Sequence, residues 1–359
     1  MNFLNKEIKI KKIKSTMEKV KNFDDRIWIK KALSHQETEF VPYHFSFTPQ
    51  AKLRLEKYYD TKSLEDKLEV PIRWGMLKSI KPIYADPKIY GKYIKDEFGV
   101  TWSLSDLNRG VPIKPCLSEP DLSNFNFPDP REAYRFEDLK DWCIENGSHY
   151  LMILVGDLWE RATFMRGMEN ILLDSILNQK FVLKLLRGIT DYILETMKII
   201  FQKFNFDAFG LSDDYGSQKS LLISPDNWRK FIKPFLVEIF TLAKRYNKDM
   251  LLHSCGNIYD IVGDLIDIGL DMLHPIQPEA MDIFKLKKNF GKYITFSGGV
   301  RTQDLLPRGT IVEIRDEIKR LKQKMGKGGG YILEPGIGIQ EDVTPNNFNA
   351  MFEEVRKSS

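Results

Sequence analysis

Cysteine is scarce in this chain: the 359 residues hold 3, at Cys116, Cys143 and Cys255, far apart in sequence. An odd, scattered set excludes a disulfide framework and fits a reducing compartment. No two of them are neighbours, which also excludes a four-cysteine zinc site. Long apolar runs are missing. The longest, such as Leu151–Val155, are far too short to span a bilayer. Met1–Ile10 lacks an unbroken apolar core and a small-residue cleavage site, so the chain is expected to be cytoplasmic, with no membrane as partner. Neither sign of charge dominates: the net charge is +4, which predicts no nucleic-acid partner. The one dense basic run, Lys6–Lys21, alternates with apolar residues and reads as an amphipathic helix with a solvated face. Neither a P-loop nor a dinucleotide fingerprint is present. Gly326-Lys327-Gly328-Gly329-Gly330 precedes a strand candidate and so reads as a turn, not a phosphate cradle.

What is present is a large apolar inventory, 42% of residues, organised in two styles. Up to about Asn146 the pattern is irregular and rich in aromatics and prolines, as in Phe125–Pro130. From Tyr150 onward short apolar runs alternate with long helical patterns. Strands are predicted at Tyr150–Val155, Ala208–Leu211, Met250–Leu252, Met272–Ile276, Tyr293–Phe296 and Tyr331–Leu333. Amphipathic helices are predicted at Phe181–Phe204, Pro225–Tyr246 and Val312–Met325. With Phe40–Phe47 and Val70–Met76 these make the eight strands of an α/β fold, a (β/α)8 TIM barrel. Pro71 weakens the Val70 strand. The expected organisation is an N-terminal amphipathic helical extension over 1–22 and a single barrel domain over 23–359. A long insertion in the first half, about 81–140, is expected to pack over the barrel. An open doubly wound sheet would place a glycine-rich turn after its first strand, and none follows Phe47.

Barrel enzymes build their sites at the C-terminal ends of the strands. Asp157, Glu160 and Arg161 follow Val155; Asp213, Asp214 and Tyr215 follow Leu211; His253 and Cys255 follow Leu252; Gln277 and Glu279 follow Ile276; Glu334 follows Leu333. Chain turning alone accounts for polar residues such as Asp157 and Asn257. It accounts less well for Glu160, Asp213, His253 and Cys255 together. His253 and Cys255 lie two positions apart, so on a strand they share a face. Imidazole and thiolate both bind zinc, and a catalytic zinc takes three protein ligands and an open position. A buried cysteine beside a hydrogen-bonded histidine explains the same spacing. Asp213 and Asp214 are adjacent and point oppositely, so at most one faces the mouth, as a general base or a substrate contact. The other caps a helix or forms a turn. Glu160 and Arg161 either pair with each other or serve substrate, and His274, inside a strand, reads as a satisfied core histidine.

Taken in order, Leu33–Glu37 through Pro42, Asp96–Trp102, Phe127–Pro130, Arg166–Asn170, Ser212–Gln218, Ile223–Pro225, His253–Ile258, Pro275–Ala280 and Gly329–Pro335 resemble the uroporphyrinogen-decarboxylase superfamily. The resemblance covers nearly the whole chain after about Asn22 and implies the (β/α)8 barrel. Decarboxylases of the superfamily remove acetate carboxyls from a cyclic tetrapyrrole without a cofactor. They use an arginine-rich N-terminal motif and a histidine near the end of the last strand. Here Val41–Phe47 holds no arginine, and Ile337 stands where the histidine falls. A second branch is similar to cobamide-dependent methyltransferases, which bind zinc through His-x-Cys and a later cysteine. His253 and Cys255 match the first two ligands, and Ile337 occupies the third position. Glu334 is then the expected substitute, with Glu160 or Asp213 as alternatives from neighbouring strands.

The resemblance therefore implies zinc-dependent methyl transfer to or from a corrinoid carried by a partner protein, with a small methylated substrate. Metal ligands would be His253, Cys255 and Glu334; catalytic groups Asp213 and Glu160; substrate contacts Asp214, Gln277, Arg161 and Tyr215. One alternative is a uroporphyrinogen-decarboxylase-type carboxy-lyase. In it Asp213 would hold pyrrole N–H groups, and Arg161, Arg166 and Arg301 would meet carboxylates. The other is a barrel that binds a corrinoid or tetrapyrrole without chemistry.

Overall fold

The computed structural model describes residues 24–79, 87–104 and 110–358. The extension expected over 1–22 lies outside the described residues. Among those described, the strands are β1 (Ile72–Met76), β2 (Tyr93–Lys95), β3 (Thr101–Ser103), β4 (Val111–Lys114), β5 (Tyr150–Gly156), β6 (Ala208–Ser212), β7 (Asp249–His253), β8 (Met272–Ile276), β9 (Thr295–Val300) and β10 (Tyr331–Pro335). β1 and β5 to β10 form one parallel sheet in the order β1-β5-β6-β7-β8-β9-β10. Parallel neighbours need crossover connections, and helices such as Gln179–Lys203 between β5 and β6 supply them. The sheet curls, with its helices outside.

The segment expected as the first strand, Phe40–Phe47, is not a ladder strand. It runs parallel to β10 through two isolated bridges, Tyr43 to Leu333 and Phe47 to Ile339. Pro42 has no N–H and gives only its carbonyl, which accepts from the Leu333 N–H at 2.7 Å. β1 likewise begins at Ile72, just past Pro71. The helix expected over Pro225–Tyr246 breaks at Ile232 into Pro225–Phe231 and Lys233–Arg245, because Pro234 cannot continue the hydrogen-bond series of the first piece. The last-but-one strand sits later than expected, at Thr295–Val300, with Tyr293 in the preceding turn.

Strand alternation divides the side chains between two cores. Leu151, Ile153, Val155, Phe209, Leu211, Leu252, Leu273 and Leu333 face outward into the main core. Val182, Leu186, Ile189, Ile193 and Met197 of the helix Gln179–Lys203 belong to the same core. Each such fully buried aliphatic side chain contributes about 1.5–3 kcal/mol. The intervening residues Ile72, Tyr150, Met152, Ala208, Leu251, Met272 and Ile332 form a second, inner cluster with Ile29. Ile29 comes from the helix Asp25–Leu33, which is N-capped by Asp24 and lies across the N-terminal end of the strands. Arg26 pairs with Asp207 at 3.0 Å and Lys30 with Asp249 at 2.5 Å, tying this helix to the starts of β6 and β7.

β2, β3 and β4 form a small antiparallel sheet within the insertion. Asp96 organises it. Its carboxylate accepts from the Phe98 N–H at 3.0 Å, the Val100 N–H at 2.9 Å and the Trp102 indole N–H at 2.9 Å. It also pairs with Arg161 at 2.7 Å. Since Arg161 sits on the helix that follows β5, one buried carboxylate both shapes the insertion and fastens it to the C-terminal end of the sheet.

Candidate active site

One or two pleats above the apolar inner cluster the same strands carry polar side chains: Ser212 on β6, His253 on β7, His274 on β8, Ser297 on β9 and Glu334 on β10. The parallel register sets Ser212 beside His253 and His253 beside His274. The two histidine rings meet Nδ1 to Nδ1 at 2.9 Å. His274 Nε2 lies 3.1 Å from Glu334 Oε1, and His44 Nδ1 lies 2.9 Å from Glu334 Oε2. The Ser297 hydroxyl donates to Glu334 Oε1. Burial alone would push the Glu334 carboxyl up. The adjoining His274 and His44 overturn that and hold it well below the usual carboxylate range. Trp74 braces the group, stacked on His44 with ring centres 5.5 Å apart and edge-on to His274 at 5.1 Å.

Beyond the strand ends the loops after β6 and β7 are knitted together. Asp213 N–H donates to the His253 carbonyl at 2.8 Å, and Asn257 N–H to the Ser217 carbonyl at 2.7 Å. Tyr215 N–H donates to Ser254 Oγ at 3.1 Å, and Cys255 N–H to Asp214 Oδ1 at 2.7 Å. Gly256 has φ +81, and a Cβ there would lie 2.4 Å from the Gly216 carbonyl carbon. Only glycine lets the two backbones approach this closely. The result brings Asp214, His253 and Cys255 together, with one ligand atom of each within 4.8 Å of the others. Cys255 Sγ is 3.4 Å from His253 Nε2, and His253 Nε2 is 3.7 Å from Asp214 Oδ1. Zinc bonds of about 2.0–2.3 Å at tetrahedral angles set ligand atoms roughly 3.3–3.8 Å apart. The donor types and these two edges fit a zinc ion.

The structure redistributes several roles expected from the sequence. Glu334 is not in the candidate metal group: its oxygens are engaged by His44, His274 and Ser297. Asp214, expected as a substrate contact, takes its place. Asp213, expected as a catalytic base, is completely buried. It accepts from the backbone N–H groups of Trp159 and Glu160 at 3.0 and 2.7 Å and from the Tyr215 hydroxyl at 2.6 Å. It thereby anchors the start of the helix Trp159–Arg166. Burial pushes its carboxyl up to about 7 against those hydrogen bonds. Tyr215 is itself fully buried, its hydroxyl on Asp213. Arg161 is held by Asp157 at 3.0 Å and Asp96 at 2.7 Å. Gln277 accepts from the Gly256 N–H at 2.6 Å and so supports the loop. Glu160 stands at the same helix start, half-buried, its N–H on Asp213. His274 is indeed buried with both nitrogens bonded, but it touches His253 and belongs to the site. Sequence reasoning missed His44 and His274. For His274 a signal existed: it shares the inner-face parity of β8 and is the register partner of His253.

A cavity of about 1020 Å3 opens beside the histidines, lined on the sheet side by His44, Trp74, Leu154, Ser212, His253 and His274; of the Asp214–His253–Cys255 group it is His253 that lines it. Opposite lie Asp96, Phe98, Arg135, Asp157 and Tyr192. Its arginines have carboxylate partners: Arg73 with Asp66 at 2.7 Å, Arg135 with Glu97 at 3.3 Å and Arg161 with Asp96 at 2.7 Å.

A curled parallel sheet with a polar group at the C-terminal strand ends is an α/β-barrel-like frame, and comparison with known proteins agrees on the fold. The solved structure of a methyltransferase from Methanosarcina mazei superimposes with a TM-score of 0.69 at 18% identity, over 93% of this chain and 98% of that one. The likeness is one of fold. Residues 105–358 match the family model of uroporphyrinogen decarboxylase (URO-D), and the chain belongs to that family. Its relatives fall on both branches. The chain is 28% identical over 145 residues to the methylcobamide:CoM methyltransferase MtaA of Methanosarcina barkeri, 40% of either chain. It is 25% identical over 175 residues to the uroporphyrinogen decarboxylase of Chlorobium phaeobacteroides, 48% of this chain and 46% of that one. The match thus spans less than half the length of either relative. Among the described residues no helix is long and apolar enough to cross a membrane.

Proposed function

We propose that this chain is a zinc-dependent methyltransferase moving a methyl group to or from a corrinoid on a partner protein. Its frame is a (β/α)8 barrel whose eighth position is filled by residues 42–47. The observation that carries the reading is the Asp214–His253–Cys255 group, two of its edges, 3.4 and 3.7 Å, matching those of a tetrahedral zinc site, with His253 lining the cavity. Asp214 takes the third position for which Glu334 was expected, which accommodates Ile337. Zinc held there supplies Lewis acidity, lowering the pKa of a thiol or polarising an ether oxygen at neutral pH. The chain's own residues do the rest. His274 orients His253, the Asp214 carboxylate offsets the cation's charge, and Trp74 and Leu154 present an apolar wall to a small methylated substrate.

The lyase reading needs cations for a polycarboxylate. Arg161 is committed to Asp96 and Asp157, Arg166 to Asp174 at 2.7 Å and Arg301 to Asp304 at 2.8 Å. The expected result is stoichiometric zinc in the purified protein and methyl transfer between methylcobalamin and a thiol, lost on chelation and restored by zinc. Absence of zinc together with no transfer after zinc addition refutes the proposal. Loss of carboxyls from uroporphyrinogen would establish the lyase. Tight corrinoid or tetrapyrrole binding with neither turnover would establish a binding protein.

A further inference from the structure

We infer that Glu334 and His274 are positioning residues that fix His253 in the one tautomer able to bind a metal through Nε2. The consequence for zinc rests on the function proposed above; the tautomer itself does not. Glu334, His274 and His253 form a chain along which the hydrogens can be counted. An ionised carboxylate has only lone pairs to offer. Glu334 is completely enclosed and meets the Ser297 hydroxyl, His44 Nδ1 and His274 Nε2, so the hydrogen between Glu334 and His274 sits on His274 Nε2. A neutral imidazole with its hydrogen on Nε2 has a bare Nδ1. That atom lies 2.9 Å from His253 Nδ1, so the hydrogen between the rings sits on His253 Nδ1. His253 is then left with a lone pair on Nε2, the atom 3.4 Å from Cys255 Sγ and 3.7 Å from Asp214 Oδ1.

The opposite assignment places a hydrogen on His253 Nε2, pointing at the space the three ligand atoms share, and closes the site to a cation. Trp74, packed on both His44 and His274, keeps the rings from rotating out of line. The role of Glu334 therefore differs from that of a ligand: it acts on the metal position through one intervening ring, where outer-shell partners typically change metal affinity 10–100-fold.

The test uses 15N-histidine-labelled full-length protein without metal. Long-range proton–nitrogen spectra should show His253 protonated at Nδ1 and His274 at Nε2. His274→Phe should release His253 into a tautomer mixture and weaken the zinc Kd, measured against a competing chelator, on the order of 10–100-fold. His274→Gln offers an amide oxygen to His253 and an amide N–H to Glu334, and should recover most of that loss. A hydrogen on His253 Nε2 in the parent, or parent-like zinc affinity in His274→Phe, overturns the inference. Should His274→Phe not fold, Glu334→Gln is read in the same spectra. A mixed tautomer population supports the inference and an unchanged spectrum overturns it. A parent that binds no zinc would remove the proposed function, while the spectra still decide the tautomer.

Discussion

Two pleats separate a greasy floor from a charged workshop on the same strands. Leu251 and Met272 close the inner face below; His253 and His274, two residues on, open it above. The same strands run through both layers, and the contrast is one of side chains. In the floor each residue is fixed by shape, because non-directional packing rewards filled space. In the upper layer His44, His253, His274, Ser297 and Glu334 are fixed by named partners, because a buried polar group without one costs more than the bond contributes. A lesson follows for reading the molecule: loss of a floor residue should be felt as stability, and loss of an upper residue as function.

Four substitutions break or sharpen that contrast, in falling order of their effect on unfolding. Tyr150→Ala opens the floor and strips the hydroxyl that donates to Asp249. About 3–5 kcal/mol should be lost, seen in a denaturant melt, with zinc affinity of the folded protein unchanged. A parent-like melt would show that the inner cluster is not a structural core. Asp213→Ala strands the Trp159 and Glu160 N–H groups and the Tyr215 hydroxyl. It should cost on the order of 1–3 kcal/mol. If stability holds and only turnover falls, Asp213 is the catalytic group the sequence suggested. Gly256→Ala forces a side chain into left-handed backbone, for about 1–2 kcal/mol, and against Gly216. Its zinc affinity should fall further than its melting point; a melt and a chelator titration on one sample compare them. Cys255→Ala sits at the end of the scale. A change of about 0.5 kcal/mol, ordinary for a half-exposed position, should accompany complete loss of zinc. Equal metal in mutant and parent would assign Cys255 to packing.

Much of this contrast was legible in the sequence. The alternation of short apolar runs with helices gave β5 to β10, and the i, i+2 spacing singled out His253 and Cys255, although Cys255 lies in the loop beyond β7 and not on the strand face. What could not be read depended on partners distant in sequence. Arg161 is claimed by Asp96, 65 positions earlier in the insertion. Glu334 is claimed by His44, 290 positions away. That one of Asp213 and Asp214 turns inward was clear from their adjacency. Which one does is decided after β6, where Asp213 meets the exposed N–H groups of the helix Trp159–Arg166 and Asp214 meets Cys255. Prolines explain the misplaced boundaries at Phe40–Phe47 and Pro225–Tyr246.

The crossing of the loops at Gly216 and Gly256 bears on how such a site can diversify. Asp214 and Cys255 are located by main-chain contacts, which most substitutions leave untouched. The cavity wall on the His253 side includes the side chains of Trp74, Leu154 and Ile193. Ligand preference can therefore drift through exchanges on the wall while the geometry of the Asp214–His253–Cys255 group stays constant, and, on the proposed function, a laboratory library confined to those wall positions should yield altered substrate ranges at an undiminished metal content.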